Sequence, residues 1–133
     1  MRHTAREKAF QVIYQMDLNE NTLDFALGSV LEEAELGQEA ADFCRSLAAG
    51  TLEKRSEIDE MIQAHTENWK IERMPSVDRN ILRLAVYELL YCPEVPDKVA
   101  IDEAIELAKL YSDDKAPRFI NSVLDKILKA KQA

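Results

Sequence analysis

Apolar residues recur every three to four positions through most of the chain, and the pattern is broken at only a few places. Ala5, Ala9, Val12, Ile13 and Met16 form the first stripe, and Thr4-x-x-Glu7 has the form of a capping box, so a first helix is predicted from Thr4. Asn19 and Asn21 interrupt the stripe. Thr22 is placed to cap a second helix running to about Glu35, with Leu23, Ala26, Leu27, Val30 and Leu31 on its buried side. After a loop at Leu36–Gln38, a long third helix carries Ala40, Phe43, Cys44, Leu47, Ala48, Thr51 and Leu52 on one face. Ser56-x-x-Asp59 resembles a second capping box and allows a restart there; continuation through Ile58 and Ile62 is equally allowed.

Thr66–Pro75 is polar around Trp69, and Pro75 should end any helix before it. This stretch is the expected boundary between two helical subdomains, about 1–68 and 69–133, of a single domain. Ser76 is predicted to cap the next helix. Its first half shows Asp78, Arg79, Asn80 and Arg83, whereas from Leu84 to Cys92 the only charge is Glu88, as in a helix central to a bundle. Pro93 and Pro96 bracket a short connection. A helix from about Asp97 is then predicted to bury Ile101, Ala104, Ile105 and Ala108, and a last one to bury Ile120, Val123, Leu124 and Ile127.

Composition supports this all-helical reading. Three glycines and four prolines in 133 residues leave few sites for the tight turns of a β fold, and Ala, Leu, Glu and Lys abound. The chain has the length of one domain. No apolar run approaches the roughly 20 residues that span a bilayer, and the N-terminus lacks the apolar stretch of a secretory signal. Cys44 and Cys92 stand far apart in apolar-rich helices, as buried thiols do, so the cytoplasm is the expected compartment.

Net charge is −8, which argues against a nucleic-acid partner until its distribution is considered. Residues 17–60 hold twelve acids against three bases, and residues 61–133 hold twelve against eleven. Residues 1–16 hold Arg2, Arg6 and Lys8 against Glu7, so the first helix is the one clearly basic element.

Enzyme signals are weak. His3 and His65 have no catalytic neighbours, and no glycine-rich phosphate loop, Gly-x-Ser-x-Gly elbow or His-Glu-x-x-His pair occurs. The acidic pairs Glu32/Glu33, Asp102/Glu103 and Asp113/Asp114 read as solvated surfaces rather than a metal cage. No cofactor and no metal is expected, and the chain reads as a binder. At about 100° per residue, Arg2 and Arg6 fall on one edge of the first core stripe, His3, Phe10 and Tyr14 just beyond it, and Lys8 on the opposite flank. Arginines beside exposed aromatics suit single-stranded RNA, through phosphate pairing and base stacking. Packed aromatics on an ordinary basic N-terminus are the competing explanation.

The helices Val77–Tyr91 (VDRNILRLAVYELLY) and Val95–Ser112 (VPDKVAIDEAIELAKLYS), the segment Phe119–Ile127 (FINSVLDKI) and the opening Thr4–Asp17 (TAREKAFQVIYQMD) occur in an order and spacing that resemble the NusB family of bacterial transcription antitermination factors. The resemblance spans essentially the whole chain, apart from about Leu18 to Glu35. It implies about seven helices in two packed bundles. It also implies a non-catalytic role: assembly with NusE, a small ribosomal protein, on boxA RNA and RNA polymerase, so that ribosomal RNA operons escape premature termination. By resemblance, Arg2, His3, Arg6 and Lys8 lie at the RNA, Tyr14 and Phe119 stack or pack near bases, and Asp78 helps order a surface shared with NusE. Only Arg2 and His3 precede Thr4, where many family members carry several consecutive arginines. Few phosphate contacts mean a small salt-dependent affinity, so binding of RNA is expected to be weak without a basic partner. The alternative reading is a homodimeric or protein-only module of the same fold. A domain fused ahead of a ribosomal RNA methyltransferase is a third, for which this sequence shows no S-adenosylmethionine motif.

Overall fold

The computed structural model describes residues 2–133, and these form seven α-helices without a strand. They are α1 (Arg2–Leu18), α2 (Leu23–Glu33), α3 (Gln38–Glu53), α4 (Arg55–Ala64), α5 (Ser76–Tyr91), α6 (Asp97–Tyr111) and α7 (Ala116–Gln132), with a 3₁₀ turn at Ile71–Arg73 between α4 and α5. The all-helical expectation therefore holds. The expected cap at Thr22 is present: its hydroxyl oxygen accepts the Phe25 N–H at 3.1 Å. Two other caps are corrected. Helix α1 begins at Arg2, so Thr4 lies within its first turn, and α5 has Pro75 before its first residue, with Ser76 already helical. Pro75 has φ −52° and ends the preceding turn as its ring requires. The ambiguity after α3 resolves as a break at Lys54, and Asp59, instead of capping, faces Arg83.

Helix α5 is the axis of the molecule, packing against α1, α3 and α4 as well as α6 and α7. Its central residues Asn80–Val86 are all buried, so burial extends into the polar half as well as the apolar one. Asp78, Asn80, Arg83 and Glu88 are each at most 4% exposed. Helix α3 approaches α5 closely at Gly50, where an added Cβ would stand 2.1 Å from the Tyr87 ring. On α6 the buried face is Ala100, Ala104, Leu107 and Ala108, with Ile101 and Ile105 only half-buried, a rotation from the expected stripe. On α7, Ile120, Val123, Leu124 and Ile127 are buried as expected.

Candidate nucleic-acid interface

The sequence placed most of its binding residues on α1, with Asp78 on α5 and Phe119 on α7, and the structure divides them. At the start of α1, the Arg2 guanidinium lies over the Phe43 ring at 4.1 Å, with Nε 3.9 Å from a Glu39 carboxylate oxygen. His3 Nδ1 is 2.5 Å from Glu103. Both side chains are more than a third exposed but have acidic company. Lys8 is half-buried, and among the described residues its ammonium donates only to Gln11, at 3.5 Å.

Arg6 departs from the expectation that it meets phosphate. It is 4% exposed, and its Nε donates to both Glu88 oxygens at 2.9 and 3.0 Å. A residue on the edge of a core stripe is carried inward when the neighbouring helix offers a buried carboxylate, and Glu88 on α5 does so. Burial pushes the Glu88 carboxyl above its ordinary value, and Arg6 opposes that shift without cancelling it. Phe10 is likewise buried, 5.1 Å from Tyr111 and 5.7 Å from Tyr14 between ring centres. Tyr14 remains half-buried at the other end of α1, roughly 18 Å from Arg2 by helical rise.

Asp78 also departs from its expected place on a partner surface. It is buried, and its carboxylate accepts a 2.6 Å hydrogen bond from the Ser112 hydroxyl at the end of α6. Burial raises its pKa, and the nearby Asp113 adds to the rise. Its visible role is to tie α5 to the α6–α7 turn. In that turn Asp113 accepts from the backbone N–H groups of Lys115 and Ala116, at 2.9 and 3.0 Å, and so starts α7. Phe119, in the first turns of α7, is half-buried and packs on Trp69 with ring centres 5.0 Å apart and planes at 57°.

Sequence reasoning missed two sets of residues that shape this surface. Gln63 holds the connection after α4: its amide donates to the Thr66 hydroxyl at 3.2 Å and the Trp69 carbonyl at 3.1 Å, and its oxygen accepts the Ile71 N–H at 2.9 Å. The second set surrounds Asp17, at the end of α1. One Asp17 oxygen accepts from Arg79 Nη2 at 2.7 Å and from Asn80 at 2.9 Å, and lies 3.3 Å from Arg83. Burial alone would raise the Asp17 pKa, but the bonds from Asn80 and Arg79 and the charges of Arg83 and Arg79 hold it below the ordinary value. Arg83 also forms a two-pronged pair with Asp59 at 2.8 and 3.0 Å. The only signal in the sequence was a run of polar residues at positions that a central helix must bury.

Cys44 and Cys92 are free and buried, and burial pushes both thiols up to about 11, so they remain protonated at neutral pH. No group of three or more metal-ligating side chains occurs among the described residues. None of the helices described is long and apolar enough to cross a membrane.

The model of the NusB family matches residues 3–129 of this chain. The chain belongs to the NusB family. Among curated NusB relatives, the transcription antitermination protein of Bacillus pumilus is 47% identical over 126 residues, covering 95% of this chain and 93% of the relative. That of Listeria monocytogenes is 43% identical with 95% and 94% covered. In structure, NusB of T. maritima matches with a TM-score of 0.91 at 37% identity, over 97% of this chain and 91% of its own. A chain from the crystal structure of antitermination factors NusB and NusE in complex with double-stranded RNA matches with a TM-score of 0.90 at 33% identity, over 97% and 96%. The NusB likeness thus extends through the segments that carry Tyr14, Asp78 and Phe119.

Proposed function

We propose that this chain is a non-catalytic RNA-binding adapter of transcription antitermination, assembling with NusE on boxA-type RNA within the RNA polymerase complex in the cytoplasm. The observation that carries the reading is the full-length likeness to a chain found with NusE and RNA. It takes residues 1–133 as a single NusB-like domain, with helical subdomains of about 1–68 and 69–133. Arg2, His3 and Lys8 supply phosphate contacts, and Tyr14 and Phe119 supply aromatic contact to bases. Arg6 and Asp78 serve from inside the fold by holding α1 and α6 to α5.

Charge explains why a partner is needed. Net charge is −8, and Arg2 and His3 each have a nearby carboxylate, so the chain alone offers RNA few unopposed cations there. A basic partner restores the counterion release that drives binding. The test is fluorescence anisotropy of labelled boxA RNA titrated with the protein, with and without NusE. Affinity is expected to be weak alone and to rise sharply with NusE. Tight binding without NusE at physiological salt would remove the partner requirement, and absence of binding in both arms would favour a homodimeric or protein-only module.

A further inference from the structure

The chain has 17 Lys and Arg, and among the described residues ten of them have a carboxylate within 4.0 Å. Of the remaining seven, five fall in two segments: Lys70 and Arg73 in the α4–α5 connection, and Lys115, Arg118 and Lys126 at the start and middle of α7. The basic character assigned to α1 by composition is therefore largely neutralised, while unopposed positive charge gathers elsewhere. At about 100° per residue, Lys115, Arg118, Phe119, Ser122 and Lys126 occupy one sector of α7 roughly 100° wide. Of these, Phe119, Ser122 and Lys126 line an open groove whose other wall includes Asn68 and Trp69.

Trp69 is 37% exposed, a high value for an indole, and its ring rests on Phe119. Gln63 fixes the backbone beneath it through the Trp69 carbonyl. The aromatic platform is therefore held in place before any ligand arrives, which lowers the ordering cost of stacking on it. A base has a π-face to lay on such a platform. For its flanking phosphates, Lys126 lines the groove, Lys70 directly follows Trp69 in the chain and Arg118 directly precedes Phe119. One carboxylate, that of exposed Glu67, lines the same groove.

We propose that the groove between Trp69 and α7 seats one unstacked base of a single-stranded RNA, with the adjoining phosphates held by Lys70, Arg118 and Lys126. The inference rests on the RNA-binding reading above and extends its surface beyond α1 and Phe119. An acidic protein segment would use the same cations but would not need an exposed indole packed against a phenyl ring.

Trp69 is the chain's only tryptophan, so its emission reports on this groove alone. The full chain with NusE is titrated with a short single-stranded boxA-type RNA, reading both the anisotropy of a dye on the RNA and Trp69 emission after subtraction of NusE's own. Trp69 emission should be quenched in step with the anisotropy. Trp69→Leu should weaken binding roughly 5- to 150-fold, with Trp69→Phe recovering most of the loss. Lys126→Gln, at an exposed position that leaves the core intact, should reduce the slope of log affinity against log salt by about 0.7. RNA that binds with Trp69 emission unmoved, and with equal affinity to Trp69→Leu and Lys126→Gln, would overturn the groove while leaving the adapter reading intact. No RNA binding with or without NusE would overturn both.

Discussion

Helices α1 and α5 are joined at two places by buried ion pairs of opposite polarity. Near the start of α1, Arg6 meets Glu88; near its end, Asp17 meets Arg79 and Arg83. The pairing of early with late residues makes the helices antiparallel, and the two joints lie roughly 16 Å apart along α1. Chemically they behave in opposite ways. Glu88 has one guanidinium nitrogen as its donor, and desolvation wins, so its pKa rises. Asp17 accepts from two arginine nitrogens and an amide on one oxygen, and these outweigh desolvation, so its pKa falls. A buried carboxylate is stabilised by the number of donors aimed at it more than by the presence of one opposite charge.

The largest effect expected from this contrast is at Arg6. Arg6→Met leaves Glu88 as an unpaired carboxylate that is 2% exposed, and should cost about 3–5 kcal/mol in chemical denaturation. The double variant Arg6→Met/Glu88→Leu removes both charges and should return to the parent's stability or exceed it. A double variant no more stable than Arg6→Met would show that the pair stabilises the fold beyond its desolvation cost. Asp17→Asn should cost less, about 1.5–3 kcal/mol, because Arg83 keeps Asp59 and Arg79 keeps the Ile71 carbonyl at 3.2 Å. Equal losses at Arg6 and Asp17 would erase the distinction between the joints.

These joints also show where sequence reading stops. Thr22 was identifiable as a cap because its bond reaches only three residues ahead. The stripe of α7 was correct, and that of α2 held at Ala26, Leu27 and Val30 with Leu23 and Leu31 half-buried, because their apolar residues face a core from one side. Thr4 and Ser76 failed as caps because α1 extends upstream to Arg2 and Pro75 already sets the entry to α5. Arg6 and Glu88 are 82 positions apart, and no local pattern links them. A lone glutamate in the apolar half of a central helix did require a buried partner, but the periodicity of α1 placed Arg6 on an edge and could not say which way it turned. The same limit hid the groove at Trp69: composition located basic residues, whereas exposure and which cations lack a salt-bridge partner emerge only when helices from distant segments meet.

The opposite pKa shifts predict opposite responses to acid. Asp17, with a folded pKa below its unfolded value, contributes stability above the ordinary aspartate range that is lost as pH falls through the folded pKa. Glu88 and Asp78, with folded pKa values above their unfolded ones, cost stability at neutral pH, and that cost is relieved as pH falls toward the unfolded values. Carbon-13 titration of the side-chain carboxyls should therefore find Glu88 above 4.5, Asp78 above 3.8 and Asp17 below 3.8. Asp17→Asn should flatten the loss of stability in strong acid, and Glu88→Gln should leave that limb unchanged. Asp17 titrating above Glu88 would reverse the assignment of donors to the two joints.

The smallest effect sets the scale for the others. Lys98 and Asp102 form an i,i+4 pair at 3.0 Å, close to the 2.9 and 3.0 Å of the Arg6–Glu88 bonds, but their side chains are 85% and 57% exposed. Water already solvates both groups, so the pair gains little from Coulomb attraction and loses side-chain entropy in forming. Lys98→Ala should change stability by less than about 1 kcal/mol, and the change should fade with added salt. The Arg6 and Asp17 losses should persist in the same salt, because mobile ions do not reach buried charge. A Lys98→Ala loss comparable with that of Asp17→Asn would mean that distance, rather than burial and donor number, ranks the ion pairs of this fold.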